Sequence, residues 1–183
     1  MIFLLLASAP AVADDGGQRA LAALKAGAHY GLMRHAKAPG RGDPETFRLG
    51  DCATQRNLSP AGRDEARRLG ERLRAEGVVV DKAYASPWCR CRDTADLAFG
   101  KSEEWEALSS FFDRREREPE LTKRVKNRIG TYSTRRPKGN IAMVTHHVNI
   151  QALTGHAVGT GEMVVVRPDG CCGLKTVGRI AIR

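Results

Sequence analysis

Short apolar runs and longer segments with one apolar side follow one another along most of the chain. Short runs bounded by turn residues are typical of buried strands, whereas apolar residues spaced three and four apart are typical of a helix packed by one face. Strands that alternate with helices favour an α/β fold, and we expect a three-layer α/β/α sandwich with a mostly parallel central sheet. The expected strands are His29 to Met33, Val78 to Ala85, Ile141 to Thr145, Glu162 to Arg167 and Lys175 to Ile182.

The helical segments also carry start and stop signals. Ser59 is a favourable N-cap and Pro60 suits the first helical position, ahead of an apolar stripe that runs from Ala66 to Leu73. Gly27 is placed to end the first helix. Further helices are expected at Gln18 to Ala26, Arg90 to Phe99, Pro119 to Ile129 and His147 to Thr154.

The remaining segments are expected to be connections. Ala38 to Ala53 is rich in Gly, Pro and charge, which predicts a loop near the mouth of a pocket. Pro168-Asp169-Gly170 predicts the turn of a closing hairpin. The sequence of Glu103 to Phe112 is compatible with either a strand or a loop.

Two of the expected strands end in imidazole groups. The first leads directly into Arg34 and His35, and the strand ending at Thr145 leads into His146. Because ligands of open parallel sheets bind beyond the carboxyl ends of the strands, we expect these side chains to meet. Arg90 follows another strand, at the start of a helix, where the helix dipole also favours anions. Imidazole and guanidinium groups gathered without an evident carboxylate suit a phosphoryl group.

These blocks resemble the histidine phosphatase superfamily, also called phosphoglycerate mutase-like. Arg34-His35-Ala36 is similar to the Arg-His-Gly that follows the family's first strand, and Thr145-His146 to its later Ser/Thr-His. The stretch Asn57 to Gly62 looks like the family's Pro-Leu-Thr-x-x-Gly at the start of a helix. A further block, Ser-Pro-x-x-Arg-x-x-x-Thr-Ala, is matched by Ser86, Pro87, Arg90, Thr94 and Ala95. The resemblance spans residues 29 to 167 approximately and implies a phosphoglycerate mutase-like fold.

The resemblance implies a metal-independent phosphatase that works through a phosphohistidine on His35 and needs no cofactor. One ring nitrogen of His35 would attack phosphorus while the other donates a hydrogen bond, which fixes the tautomer. Arg34, Arg90 and His146 would complete the catalytic set and bind the phosphate, His146 as a donor if it is protonated. Substrate choice would then be set by two segments, Ala38 to Ala53 and Glu103 to Arg117.

Two departures from the family pattern bear on activity. Ala36 stands where relatives carry glycine, and we expect the turn to accommodate the methyl group. No residue cleanly matches the family's proton-donating glutamate, so Glu106 and Glu162 are the candidates. Without an acid the enzyme would favour good leaving groups. The alternative is a phosphate- or anion-binding module on the same fold with weak or lost turnover, and a mutase is less favoured than either.

Other histidines and arginines receive more ordinary assignments. His147 would cap its helix or line the pocket rim, and His29 and His156 are expected to be structural. Arg92 would face solvent or pair with Asp93 or Asp96. For Arg56, contact with the substrate and a surface role remain open.

The chain has 183 residues and a formal net charge of +9, which suits one domain and an anionic partner. Basic and aromatic residues do not interleave, so nucleic acid is not favoured as a partner. The resemblance implies a phosphorylated small molecule or surface glycan as the substrate. Ile2 to Ala13 is apolar and ends in small residues, as a secretory signal does, although a buried helix is the alternative. We therefore expect a signal peptide over 1–13, a single histidine phosphatase-like domain over 14–183, a periplasmic or secreted location, and no stable membrane insertion after cleavage.

Cysteine usage agrees with export. Five cysteines in an oxidising compartment predict at least one disulfide, and Cys52 with Cys89 or Cys91 is favoured because both segments should flank the pocket. The odd count leaves at least one thiol unpaired within the chain. The spacing matches no common zinc pattern, so no metal site is expected. The remaining cysteines are Cys171 and Cys172.

Overall fold

The computed structural model describes residues 15–133, 138–170 and 173–181. Five helices and six strands alternate along them. The helices are α1 (Asp15–Ala26), α2 (Pro60–Ala75), α3 (Cys89–Phe99), α4 (Glu118–Ser133) and α5 (His147–Thr154). The strands are β1 (Tyr30–Arg34), β2 (Val80–Ala85), β3 (Glu103–Glu104), β4 (Asn140–Thr145), β5 (Met163–Asp169) and β6 (Gly173–Ile180). The expected signal segment, Cys171 and Cys172 lie outside the described residues.

The six strands form one sheet in the order β3-β2-β4-β1-β5-β6. Strands β1 to β4 pair in parallel, with β4 between β1 and β2. Strand β5 pairs antiparallel with both β1 and β6, which confirms the closing hairpin. The turn was predicted too early, because Pro168 and Asp169 belong to β5 and pair with β6. The carboxyl ends of β1 and β4 are neighbours, since Arg34 is in register with Thr145. This register brings the residues that follow the two strands to the same edge of the sheet.

Helices cover both faces of the sheet, so the expected three-layer α/β/α sandwich is confirmed. Side chains alternate across β1: Met33 packs with α1, α2 and α3, whereas Tyr30 and Leu32 pack with α4 and α5. Strand β4 alternates in the same way and is buried along its whole length. Strands buried on both faces read as continuous apolar runs, which is why β1 and β4 were evident from the sequence.

Helix α2 begins as its sequence predicts. Ser59 is its N-cap, and the side-chain oxygen accepts a hydrogen bond from the backbone N–H of Gly62 at 3.1 Å. The expected stripe from Ala66 to Leu73 faces the core. Gly62 itself permits a close approach, because a Cβ there would lie 2.1 Å from the carbonyl oxygen of Lys37. The helix start therefore contacts the chain two residues beyond His35 directly.

The segment left open between strand and loop is mostly irregular. Within this segment, only Glu103–Glu104 forms a strand, which pairs with β2. A 3₁₀ turn follows at Glu106–Leu108. Phe111 then packs with Leu121 and Val148, which fixes the loop against α4 and α5. Within the described residues, no helix is both long and apolar enough to cross a membrane.

Candidate active site

A cavity of about 320 Å³ lies at the carboxyl edge of the sheet. Its floor is formed by basic side chains from four separate segments. Arg34 and His35 come from the end of β1, Arg56 from the loop before α2, Arg90 from the first turn of α3, and His146 from the end of β4. The structure therefore brings together the four residues that the sequence selected, and it adds Arg56.

His35 is buried and held in one orientation. Its Nδ1 lies 2.8 Å from the carbonyl oxygen of Ala36, which can only accept a hydrogen bond. The proton is therefore on Nδ1, and Nε2 carries a free lone pair. Burial, followed by the positive charge of Arg90, lowers the pKa of His35 to about 3. The ring is neutral at physiological pH, as a nucleophile must be.

His146 faces His35 edge-on, with ring centroids 5.6 Å apart. Its Nε2 lies 2.8 Å from the hydroxyl oxygen of Ser86 and 3.5 Å from the sulfur of Cys91. Burial first, then the charge of Arg90, lowers the pKa of His146 well below its ordinary value. Without a ligand the ring is thus neutral, so the protonated form that the sequence argument invoked requires a bound anion to stabilise it.

The three floor arginines are only partly satisfied by the protein. The Nη1 of Arg34 donates to the carbonyl oxygen of Val158 at 2.9 Å. Arg56 binds its own loop, donating from Nε to the carbonyl oxygen of Gly42 at 2.6 Å. In the part of the chain that the structure describes, the buried Nε atoms of Arg34 and Arg90 have no hydrogen-bond partner. Unsatisfied buried donors on the floor of a cavity suit an anionic ligand.

Asp43 enters this site from the loop predicted at Ala38 to Ala53. Its Oδ1 accepts from Nη1 of Arg90 at 2.7 Å, and its Oδ2 accepts from Nη2 at 3.0 Å. Trp88 Nε1 and the backbone N–H of Arg56 also donate to this carboxylate. Burial alone would raise the pKa of Asp43, but the hydrogen bonds and charge of Arg90 outweigh it, and the pKa is lowered. The carboxylate is ionised.

The mouth of the cavity is built from the two segments expected to flank it. Arg41 comes from the first, and Phe112 and Asp113 from the second. The Arg41 guanidinium lies 5.4 Å from the centre of the Phe112 ring. His147 also lines the cavity, in agreement with a rim position, and its Nδ1 lies 3.1 Å from the carbonyl oxygen of Val158.

The turn after His35 accepts an alanine without strain. Among the residues that the structure describes, Ala28 is the only one other than glycine with a positive φ, so Ala36 does not need glycine's freedom. The backbone N–H of Ala36 donates to the hydroxyl of Thr94 at 3.0 Å, and its methyl group packs with Leu58 and Ala66. The expectation that this turn accommodates the methyl group is confirmed.

Both glutamates proposed as proton donors lie elsewhere. Glu106 forms ion pairs with Arg117 and Arg124, and Glu162 pairs with Arg179 and accepts from the N–H of Gly159. Neither lines the cavity. The proposal of Glu106 or Glu162 as acid was therefore wrong, because long arginines from other elements bind both carboxylates.

Arg92 pairs with Glu104 at 2.6 Å rather than with either predicted aspartate. His29 has a structural contact, with Nδ1 lying 2.7 Å from the carbonyl oxygen of Gly27.

Two carboxylates that line the cavity within the described ranges, Asp43 and Asp113, were not predicted from the sequence. Asp113 is exposed and makes no hydrogen bond or ion pair with another described residue. Both lie in segments without periodicity, so only their proximity to the predicted site residues in the fold reveals them. A signal was present for Asp43, since Gly42-Asp43-Pro44 is a turn sequence that can direct a side chain inward.

Cys52 and Cys89 form a disulfide, which resolves the choice left open by the sequence. The bridge ties the loop before α2 to the first residue of α3, next to Arg90. Gln55 reinforces this junction, with its side-chain oxygen accepting from the N–H of Cys89 at 3.0 Å. Cys91 is a buried free thiol. No group of three or more His, Cys, Asp or Glu side chains in the described residues is arranged to hold a metal ion.

The fold and cavity define a class of three-layer α/β proteins with a basic pocket at the carboxyl edge of the sheet. The model of the histidine phosphatase superfamily (branch 1) matches residues 31–111, which include Arg34, His35 and Arg90. Over this segment the chain is therefore similar to the histidine phosphatase superfamily.

Several solved structures share the fold of this chain. The protein histidine phosphatase SixA, complexed with tungstate, has 16% identity and a TM-score of 0.60, over 84% of this chain and 96% of that chain. A phosphoserine phosphatase of Entamoeba histolytica, complexed with phosphoserine, has 12% identity and a TM-score of 0.56, over 82% and 95%. The phosphoglycerate mutase of Thermus thermophilus has 18% identity and a TM-score of 0.53, over 85% and 99%. Comparison of the sequence with curated proteins gives no significant match.

Proposed function

We propose that this protein is a phosphatase that hydrolyses phosphomonoesters or related phosphoryl compounds through a phosphohistidine on His35. The match to the histidine phosphatase model over residues 31–111 and the phosphatases among the similar structures support phosphatase activity. The observation that carries the mechanism is the hydrogen bond from Nδ1 of His35 to the carbonyl of Ala36, on the floor of a basic cavity. It leaves Nε2 unprotonated and free to attack.

In the first step, the Nε2 lone pair of His35 forms a bond to phosphorus while the bond from phosphorus to the leaving oxygen breaks. In the second, water attacks phosphorus and the bond to Nε2 breaks, which releases phosphate and restores His35. The transferred group is anionic throughout, so fixed donors from Arg34 and Arg90 stabilise both transition states. His146 adds a donor once the phosphate oxygens raise its proton affinity.

Asp113 is the candidate acid for the first step. It lines the cavity mouth on the exposed side, where a leaving group would emerge, and no described residue engages its carboxylate. In its protonated form it would give a proton to the leaving oxygen, and its carboxylate would take one from the attacking water. Asp43 is unsuited to this role because its carboxylate already accepts four hydrogen bonds.

The substrate we propose is a phosphorylated small molecule or surface glycan. The floor of the cavity carries three arginines and one carboxylate, that of Asp43, so its net charge is positive. The mouth adds Arg41, which lies over the ring of Phe112. The Cys52–Cys89 disulfide supports an oxidising compartment, in keeping with a periplasmic or secreted protein.

The proposal is tested by hydrolysis of p-nitrophenyl phosphate in the presence of EDTA. We expect wild type and His156→Ala to be active, and His35→Ala to lose activity by on the order of 10³-fold or more because the covalent route is removed. Acid-labile phosphate should accumulate on wild type and not on His35→Ala. Full activity in His35→Ala would reject the mechanism.

One observation favours a second candidate, an anion-binding module with little turnover. No glutamate lines the cavity within the described residues, and general acid catalysis usually contributes about 10²- to 10⁴-fold. This candidate predicts that wild type and His35→Ala are equally inactive while both bind inorganic phosphate in calorimetry.

A further inference from the structure

We infer that Asp43 is a positioning residue for phosphoryl transfer, which holds the end of the Arg90 guanidinium so that its side edge faces the phosphate. The inference rests on the proposed function, since it assigns how one arginine of that site is aimed. It concerns an aspartate that lies in an irregular loop, 47 residues before its partner.

Five N–H groups of the Arg90 side chain are distributed among three edges. The two that point away from the chain, one on Nη1 and one on Nη2, donate to the two carboxylate oxygens of Asp43. The second N–H of Nη1 donates to the backbone carbonyl oxygen of Arg56 at 3.3 Å. The Nε–H and the second N–H of Nη2 remain, and in a planar guanidinium these two lie parallel on one edge.

That remaining edge is prepared for a ligand. Arg90 lines the cavity with only 3% of its surface exposed, and its Nε has no partner within the described part of the chain. Two parallel N–H donors match two oxygens of one phosphoryl group. Because this edge is positively charged and faces the cavity, the partner that suits it best is an anion in the cavity.

The surroundings of Asp43 identify it as a rigid support. Besides Arg90, it accepts hydrogen bonds from Trp88 Nε1 at 3.0 Å and from the backbone N–H of Arg56 at 3.1 Å. Both oxygens are therefore saturated by donors from two segments that the Cys52–Cys89 disulfide joins. The carboxylate has no capacity left to bind substrate or to move a proton.

A positioning role and a purely structural role predict different kinetics. Loss of the carboxylate removes a negative charge from the cavity, so binding of inorganic phosphate should be as tight as in wild type or tighter. Loss of the support lets the Arg90 edge swing out of line with the transition state, so kcat should fall. A purely structural role would lower the stability and leave the kcat of the folded protein unchanged.

The experiment compares Asp43→Ala, Asp43→Glu and Asp51→Ala. Asp51 is the matched control, because its carboxylate also binds an arginine of the same loop, Arg48, but on the surface. We expect kcat to fall by on the order of 10²-fold in Asp43→Ala, with undiminished phosphate affinity in calorimetry. Asp43→Glu should recover part of kcat, and added formate should raise kcat in Asp43→Ala and not in Arg90→Ala.

An unchanged kcat in folded Asp43→Ala, or a fall that neither Asp43→Glu nor formate reverses, overturns the assignment. If Asp43→Ala does not fold, Asp43→Asn replaces it, since it keeps the volume and loses the charge. Absence of hydrolysis in wild type would reject the proposed function instead. In that case, ¹⁵N NMR decides: the Nε–H signal of Arg90, assigned by its loss in Arg90→Lys, should respond to phosphate in wild type and not in Asp43→Ala. A response that survives in Asp43→Ala overturns the assignment.

Discussion

The Nδ1 nitrogen of His35 donates a hydrogen bond to the carbonyl oxygen of Ala36 across 2.8 Å. This contact between neighbouring residues selects one tautomer and keeps the attacking nitrogen free of a proton. Burial and the adjacent charge of Arg90 act in the same direction, since both lower the pKa of the ring. The ring is thus neutral with Nε2 free of a proton, as the proposed role of His35 as nucleophile requires.

The low pKa of His35 predicts acid sensitivity of the fold. The unfolded chain takes up a proton below pH 6.5, whereas the folded ring resists protonation down to a pKa of about 3. The stabilising contribution is therefore complete above pH 6.5 and is lost as the pH falls from there toward 3. Between pH 7 and pH 5 this group should lower the free energy of unfolding by about 2 kcal/mol, and His146 acts in the same direction. Urea denaturation of wild type and His35→Gln at both pH values measures it, and equal pH dependence in the two proteins would contradict it.

Lysine should not replace the floor arginines. Arg34 and Arg90 each offer a buried Nε–H, which lysine lacks. We expect Arg34→Lys and Arg90→Lys to lower kcat/KM by about 10²- to 10³-fold, as the loss of one preorganised donor does elsewhere. Arg67→Lys on the exposed face of α2 is the control and should leave kcat/KM unchanged. A near-normal rate in either floor variant would show that charge alone suffices.

The assignment of Asp113 predicts a dependence on the leaving group. Asp113→Asn should slow hydrolysis of an alkyl phosphate by about 10²-fold or more, because an alkoxide needs a proton to depart. Hydrolysis of p-nitrophenyl phosphate should change little, since p-nitrophenolate leaves without one. Glu106→Gln, outside the cavity, is the comparison variant. Equal losses on both substrates would assign Asp113 a role other than acid.

The Cys52–Cys89 disulfide should contribute to both stability and activity. It closes a loop across a sequence separation of 37, and a bridge of this kind typically stabilises a protein by ~2–4 kcal/mol. Cys52→Ser should be destabilised by that amount and have a lower kcat, because the loop carries Asp43 and Arg56 to the site. Thiol titration of the denatured, unreduced protein should find at most three of the five cysteines free. Five free thiols would contradict the bridge.

The sequence was sufficient for the layers, the strands and the basic part of the site. Strands β1 and β4 are buried on both faces and read as apolar runs, and Arg34, His35 and His146 stand directly at their ends. Parallel pairing then dictates that these residues meet. Ser59 and Pro60 predicted the start of α2 correctly, because serine is favoured at the N-cap and proline at the first helical position.

The acidic part of the site could not be obtained in this way. Asp43 reaches Arg90 from an irregular loop, and nothing in the pattern of apolar and polar positions indicates that the two side chains meet. Glu106 and Glu162 failed as candidates because arginines on α4 and β6, distant in sequence, bind them. Sequence order identifies which residues follow a strand but not which long side chains will reach them.

The sulfur atoms of Cys89 and Cys91 point in different directions, and this protects the Cys52–Cys89 disulfide from exchange. Cys89 faces the loop and carries the bridge, whereas Cys91 is buried against His146 and the carbonyl of Thr145. Burial raises the pKa of the Cys91 thiol to about 12, so almost none of it is thiolate at neutral pH. Only a thiolate attacks a disulfide, so exchange between Cys91 and the Cys52–Cys89 bridge is slow. The loop that carries Asp43 is thus protected from exchange with the cysteine two residues from its bridge.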